Sequence, residues 1–251
     1  MTAARTEQLC AWVAFVAILL GSAAGNTHSF QVRLLPYDLN SPLLAMELLR
    51  LPDDLRNVVG DPSEEKNNRK DMERLTKIDF GFIASYVCLF LLVGWRLVQR
   101  SHRWQGILVI LTGCGAAVFD VQENFLILRA LECLCTVPRT ASLIKWTLTF
   151  VALLVISRAF VDRSLPRLRR TIGYVAAVSC IAAGLVGLAG VAMRIDPLVE
   201  KGATLMGLGL MAGWLFFATH SVLAQGLVAA LNRLAQLPVL KRLSTWPSDD
   251  T

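Results

Sequence analysis

The chain has 251 residues, of which 55% are hydrophobic and 18% are charged, and its formal net charge is +6. A soluble domain usually carries about 25% charged residues, so this composition favours a membrane protein. The basic residues cluster in short segments between apolar runs, which is typical of a signal for membrane topology. The positive charge therefore does not indicate nucleic acid as a partner.

Six apolar runs are long enough to cross a bilayer as helices, which takes about 20 residues. They cover residues 9–25, 78–98, 105–128, 140–161, 171–193 and 202–231. The fourth run is interrupted most, because only twelve uncharged residues separate Lys145 from Arg158. Both side chains could reach towards opposite interfaces, so we expect this run to span as well. The sequence thus predicts an all-α bundle of about six transmembrane helices.

The distribution of arginine predicts the orientation. Arginines with almost no balancing acid follow the second and fourth runs, whereas charges are balanced after the third and fifth. The unbalanced arginines are Arg96, Arg100, Arg103, Arg158, Arg163, Arg167, Arg169 and Arg170. This pattern predicts that both termini are cytoplasmic. A chain rich in Ala, Leu and Arg without a glycosylation sequon indicates a bacterial inner membrane.

The predicted organisation has four parts. Residues 1–25 are a first transmembrane helix or a signal sequence, cleaved or uncleaved, and we favour an uncut helix because the uncharged run continues beyond Leu20. Residues 26–77 are predicted to form a small extracytoplasmic helical cap. Residues 78–231 hold a five-helix transmembrane bundle, and residues 232–251 form a cytoplasmic tail.

Local signals divide the predicted cap further. One helix is predicted to begin at Ser41, and a second to end before Gly60. A third could begin at Ser63 and continue unbroken through Asp79 into the second span. The alternation of apolar and polar residues over 30–34 predicts a short extended piece.

Ionisable and amide side chains inside the spans form the candidate site. On the third run, Asp120 and Asn124 share a helix face with small residues, and Glu123 lies beside that face. Such a face is expected to point into the bundle. The predicted topology places further ionisable residues at the same depth. The candidate cluster consists of Asp79, Asp120, Glu123, Asn124, Lys145 and Arg129.

This cluster allows three interpretations. It could be structural, with ion pairs and hydrogen bonds that fix the packing of the second, third and fourth spans. It could bind a proton, a cation, a lipid headgroup or a small molecule beneath the cap. Three carboxylates could also hold a hard metal ion, but no histidine lies at that depth, and we predict no metal site.

His220 is a secondary candidate, because it is the one histidine well inside a predicted span. It shares a stripe with Gly209 and Gly213, so it is expected to face another helix and to serve in packing. His28 and His102 lie outside the predicted spans, which argues against a haem held by two histidines. No cofactor is predicted.

Two classes of function stay open. The first is a non-enzymatic accessory or structural subunit of a membrane assembly, with the lipid bilayer and other membrane subunits as its partners. The second is a carrier or intramembrane enzyme whose cluster, in the outer leaflet, binds a proton, a cation or a lipid headgroup. Acids that are all matched in ion pairs would favour the first class, and a cavity lined by unmatched acids would favour the second.

Overall fold

The computed structural model describes residues 3–25, 35–60, 66–133, 137–162 and 164–219. This part of the chain is helical and contains no strand. Two short 3-10 turns, Pro36–Asp38 and Ser157–Phe160, accompany the α-helices. The α-helices are α1 (Ala3–Ala24), α2 (Pro42–Glu47), α3 (Asp54–Val59), α4 (Lys66–Gln99), α5 (Arg103–Cys133), α6 (Arg139–Ile156), α7 (Arg167–Met193) and α8 (Asp196–Ala218).

Within the described residues, six helices are long and apolar enough to cross a membrane, namely α1 and α4 to α8. This agrees with the predicted number, and it includes α6, the helix that contains Lys145. The start of α8 differs from the prediction, because the helix begins at Asp196 and not near residue 202. The Asp196 carboxylate is buried in an ion pair with Arg139, so its charge does not end the helix. The predicted end at residue 231 lies outside the described residues.

The short helices begin and end where the sequence predicts. The Ser41 hydroxyl accepts a hydrogen bond from the Leu44 N–H, which caps α2, and Gly60 ends α3 with a φ of 76°. Helix α4 runs unbroken through Asp79, as expected. Ser63 and the predicted extended piece at 30–34 lie outside the described residues.

The six long helices form a closed ring. Each packs against the next long helix in the chain, and α8 returns to contact α1. Small residues permit the closest approaches. Between α7 and α8, a Cβ atom added to Gly202 would lie 2.7 Å from the Cα atom of Gly187. Consecutive helices run in opposite directions, so the ring has one end where α6 and α8 begin and another where α7 begins.

Residues 35–60, which we call the docked segment, cover the ring end where α6 and α8 begin. The Glu200 carboxylate accepts hydrogen bonds from the backbone N–H groups of Asn40 at 3.0 Å and Ser41 at 2.7 Å. Arg139 donates to the Leu48 carbonyl oxygen at 2.6 Å. These contacts fix the docked segment over the interior of the ring.

Candidate functional site

Lys145 is the centre of a buried polar cluster. Its Nζ atom lies 2.8 Å from Glu123 Oε1 and 3.2 Å from Asp120 Oδ1, both on α5. It also lies 2.9 Å from Oε2 of Glu47, which belongs to the docked segment. Because Lys145 is only 5% exposed, three carboxylates have replaced water around its ammonium group.

Helix spacing explains how α4 and α5 supply the cluster. Asp120 and Glu123 are one turn apart, so both side chains reach the same neighbour. Asn124 donates a hydrogen bond to Asp79 Oδ2 at 2.8 Å, and the Tyr86 hydroxyl donates to Asp120 Oδ2 at 2.8 Å. Asp79 and Tyr86 lie two turns apart on α4, so they present the same face to α5.

Five of the six predicted residues make polar contacts with one another: Asp120 and Glu123 pair with Lys145, and Asn124 bonds to Asp79. The sixth, Arg129, is exposed on α5. Among the described residues, the ion pairs of Glu47, Asp120 and Glu123 are all with Lys145. Lys145 is buried against these three carboxylates, two on α5 and one in the docked segment. We call Glu47, Asp79, Asp120 and Glu123, together with Lys145, the acidic cluster.

Sequence reasoning missed Glu47. Its Oε2 atom accepts a hydrogen bond from Trp146 Nε1 at 2.9 Å, and its backbone carbonyl oxygen accepts one from the Ser142 hydroxyl at 2.6 Å. A signal was present, because Glu47 is the only charged residue in the apolar run 43–49. A lone carboxylate in such a run needs a buried partner when the run packs.

A cavity of about 630 Å³ lies inside the ring, between α1, α4, α6 and α8. This volume is in the range of about 300–1,000 Å³ that is usual for small-molecule sites. Most of its lining residues are apolar, including Ala17, Leu89 and Leu210. The acidic cluster forms a polar part of the wall, through four residues. These are Glu47, Asp79, Asp120 and Lys145.

Two carboxylate oxygens in the cluster are buried without a hydrogen bond, Asp120 Oδ1 and Glu123 Oε2. Lys145 attracts Asp120 Oδ1 electrostatically from 3.2 Å but does not donate a hydrogen bond to it. A buried acceptor without a donor costs about 1–3 kcal/mol, and more when charged. A proton, a water molecule or a ligand can supply the missing donor, and Asp120 lines the cavity where a ligand has room.

A second buried ionic group lies at the other end of the ring. Glu7 on α1 contacts Arg96 at 2.6 Å and Arg169 at 2.5 Å, and Arg96 also donates to the Ala159 carbonyl oxygen at 2.8 Å. Sequence reasoning used Arg96 and Arg169 only as topology signals. The available clue was Glu7, which is the only acid in residues 1–25.

Among the described residues outside the long helices, three groups have shifted pKa values. Burial, followed by the hydrogen bond that Tyr37 donates to Asp54, raises the pKa of Tyr37 to about 12. The Asp196 carboxylate raises the pKa of Arg50 through a hydrogen bond. Hydrogen bonds from Ser164 lower the pKa of Asp162. The first two groups belong to the docked segment.

His220 lies outside the described residues. The other members of its stripe face protein, since a Cβ atom at Gly209 would lie 3.2 Å from Cys180 Sγ and one at Gly213 would lie 3.1 Å from the Phe160 ring. In the part of the chain that the structure describes, no three His, Cys, Asp or Glu side chains are grouped so that they could hold a metal ion.

Comparison with known proteins gives no relative. No protein-family model matches the chain, and neither the curated proteins nor the solved structures provide a match. The function must therefore be inferred from the cavity and the acidic cluster.

Proposed function

We propose that this protein binds an amphiphilic molecule inside its helix bundle, as a carrier or an intramembrane enzyme would. The apolar part of the ligand occupies the cavity, and its polar head meets the acidic cluster. One observation supports this most: Asp120 lines the mostly apolar cavity of about 630 Å³, and its Oδ1 atom is buried without a hydrogen bond. A binding site accounts for this space, whereas a purely structural cluster is expected to be closely packed.

Exposed residues of α8 that also line the cavity supply a route of entry from the lipid. Leu208 and Met211 on α8 both line the cavity, yet they are 54% and 53% exposed on the surface of the bundle. Gly207 beside them also lines the cavity, and a Cβ atom there would meet nothing within 4 Å. A ligand could therefore slide in laterally, with its head moving towards Asp120.

We also propose the membrane placement that the sequence predicts. The chain would lie in a bacterial inner membrane with both termini in the cytoplasm, and the docked segment would lie outside. The acidic cluster would then face the outer leaflet. Six apolar helices are compatible with an integral membrane protein, and the arginine pattern supports the orientation.

The test is the lipid content of the purified protein. Protein extracted in maltoside detergent should retain about one amphiphile per chain, measured by solvent extraction and mass spectrometry. Gly207→Trp should lower that occupancy, because the indole would fill the open space beside this part of the cavity wall. Val178→Trp is the matched control, since Val178 on α7 is 64% exposed and does not line the cavity.

A second reading, the accessory subunit, is supported by the ion pairs of Lys145, which join α5, α6 and the docked segment. It expects no bound amphiphile and equal lipid content in the two tryptophan variants. Finding both would overturn the proposed binding function and favour the accessory role.

A further inference from the structure

We propose that the head of the ligand is a singly charged ammonium group, an inference that rests on the proposed binding function. The amine is recognised by the acidic cluster and by aromatic rings beside it. An anionic or uncharged head would not complete the site.

The charges in the cluster are out of balance. Among the described residues, the ammonium group of Lys145 pairs with the carboxyl groups of Glu47, Asp120 and Glu123. A fourth carboxyl group, that of Asp79, has only the uncharged Asn124 as its hydrogen-bond donor in this described part of the chain. The other groups that donate to these acids are uncharged, namely Tyr86, Asn124 and Trp146. Several carboxylates in one buried site raise each other's energy unless a further positive charge or bound protons neutralise them.

The place of Asp120 in the cavity wall favours a ligand as one source of that charge. Asp120 lines the cavity, is 4% exposed and keeps its Oδ1 atom without a hydrogen bond. Asp79 and Glu47 line the same cavity. An ammonium group placed there could donate to Asp120 and offset the charge of its neighbours at once.

Aromatic rings beside the acids are a second, independent feature. Phe82, Tyr86 and Phe90 lie one turn apart on α4, and all three line the cavity. Their rings are arranged edge to face, with centroids 5.4 Å and 5.8 Å apart. Acidic groups beside aromatic faces are the combination that recognises alkylammonium ions.

The alternatives fit less well. The cation of Lys145 already has three carboxylate partners, so an anionic head would meet net repulsion. A hydroxyl head could donate to Asp120 but would leave the excess negative charge in place.

The experiment compares three probes with the same chain in maltoside micelles: dodecylammonium, dodecanol and dodecyl sulfate. Dodecylammonium should bind with about one molecule per chain by calorimetry, and the other two should bind at least about tenfold more weakly.

Two neutral variants locate the site. Asp120→Asn and Asp79→Asn should each weaken dodecylammonium binding by at least about tenfold. Glu73→Gln is the control, since Glu73 on α4 is an exposed acid paired with Lys77 and should not affect binding. Two variants are used so that a folding defect in one does not decide the result.

The outcomes separate the two proposals. Equal binding of dodecanol and dodecylammonium, with both reduced by Gly207→Trp, would overturn the ammonium head and keep the amphiphile site. Binding of dodecylammonium that Asp120→Asn and Asp79→Asn leave unchanged would also overturn it. If no probe binds and no lipid co-purifies, the proposed function fails as well.

Discussion

Lys145 on α6 and Glu47 in the docked segment form a buried ion pair, with 2.9 Å between Nζ and Oε2. Trp146, the next residue on α6, donates to the same Glu47 oxygen. The docked segment is therefore joined to the bundle by the contacts of Glu47 as well as by its covalent ends. Its carboxylate is part of the acidic cluster, so the position of residues 35–60 and the charge state of the cluster depend on each other.

We expect Lys145→Met to be strongly destabilising. It would leave Glu47, Asp120 and Glu123 buried without a cation, and breaking a buried pair from one side costs about 3–5 kcal/mol. Thermal unfolding in detergent measures the loss. Lys201→Met on α8 is the control, because Lys201 is exposed.

The double variant Lys145→Met/Glu123→Gln should lose less stability than the sum of its single changes, because one buried acid is neutralised too. An unchanged melting temperature for Lys145→Met would show that bound protons, and not Lys145, neutralise the acids.

We expect Glu7→Gln to destabilise the other end of the ring. The change would leave two buried guanidinium groups, Arg96 and Arg169, without their shared carboxylate, and the cost is again about 3–5 kcal/mol for a fully buried group. The measurement is thermal unfolding, with Glu73→Gln as the exposed control. A Glu7→Gln protein as stable as the parent would mean that α1 does not depend on this ion pair.

The sequence predicted the spans well, because a long apolar run has few alternatives to a transmembrane helix. Asp120, Glu123 and Asn124 could be placed on one inward face from helix spacing alone, and the topology put Lys145 at their depth. Glu47 could not be assigned, because its contact with Lys145 depends on how a short segment folds back over the bundle. No periodicity within residues 26–77 specifies that contact.

The arginine pattern has two physical causes, and the sequence could not separate them. Arg100, Arg103 and Arg167 are exposed, as a topology signal requires, whereas Arg96 and Arg169 are buried against Glu7. Arg96 and Arg169 would pair with Glu7 in either orientation of the chain, so they give no information about the topology. The predicted orientation therefore depends on fewer arginines than the sequence count indicates.

Cysteine labelling tests the orientation directly. In a background without the native cysteines, Asp53→Cys in the docked segment should react with an impermeant maleimide added outside intact cells. Arg167→Cys at the start of α7 should react only after the membrane is opened. Both positions are exposed, so access to solvent is matched. Labelling of position 167 from outside would reverse the orientation.

Alkaline pH should weaken the docked segment through Tyr37. The pKa of Tyr37 is raised to about 12 by burial and by its hydrogen bond to Asp54, against about 10 in an unfolded chain. The folded state thus holds the proton more tightly, so this contribution to stability is present below about pH 10 and is lost as the pH rises towards about 12. Tyr37→Phe should flatten the fall in melting temperature over that window. Tyr174→Phe on α7, at a residue that is 42% exposed, is the control. Parallel pH profiles for the parent and Tyr37→Phe would contradict the assignment.

Two glycines on α8 should respond oppositely to the same substitution. A Cβ atom at Gly202 would lie 2.7 Å from the Gly187 Cα atom, and backbone cannot yield as a flexible side chain can. Gly202→Ala should therefore cost about 1–3 kcal/mol by forcing α7 and α8 apart. A Cβ atom at Gly207 meets nothing within 4 Å, so Gly207→Ala should gain up to about 1 kcal/mol, because alanine restricts the unfolded chain and favours the helix. Thermal unfolding of the two variants in one detergent gives the comparison, with each serving as the other's control. A loss of stability at Gly207 equal to that at Gly202 would show that the space beside Gly207 is filled in the protein, and would remove the lateral route to the cavity.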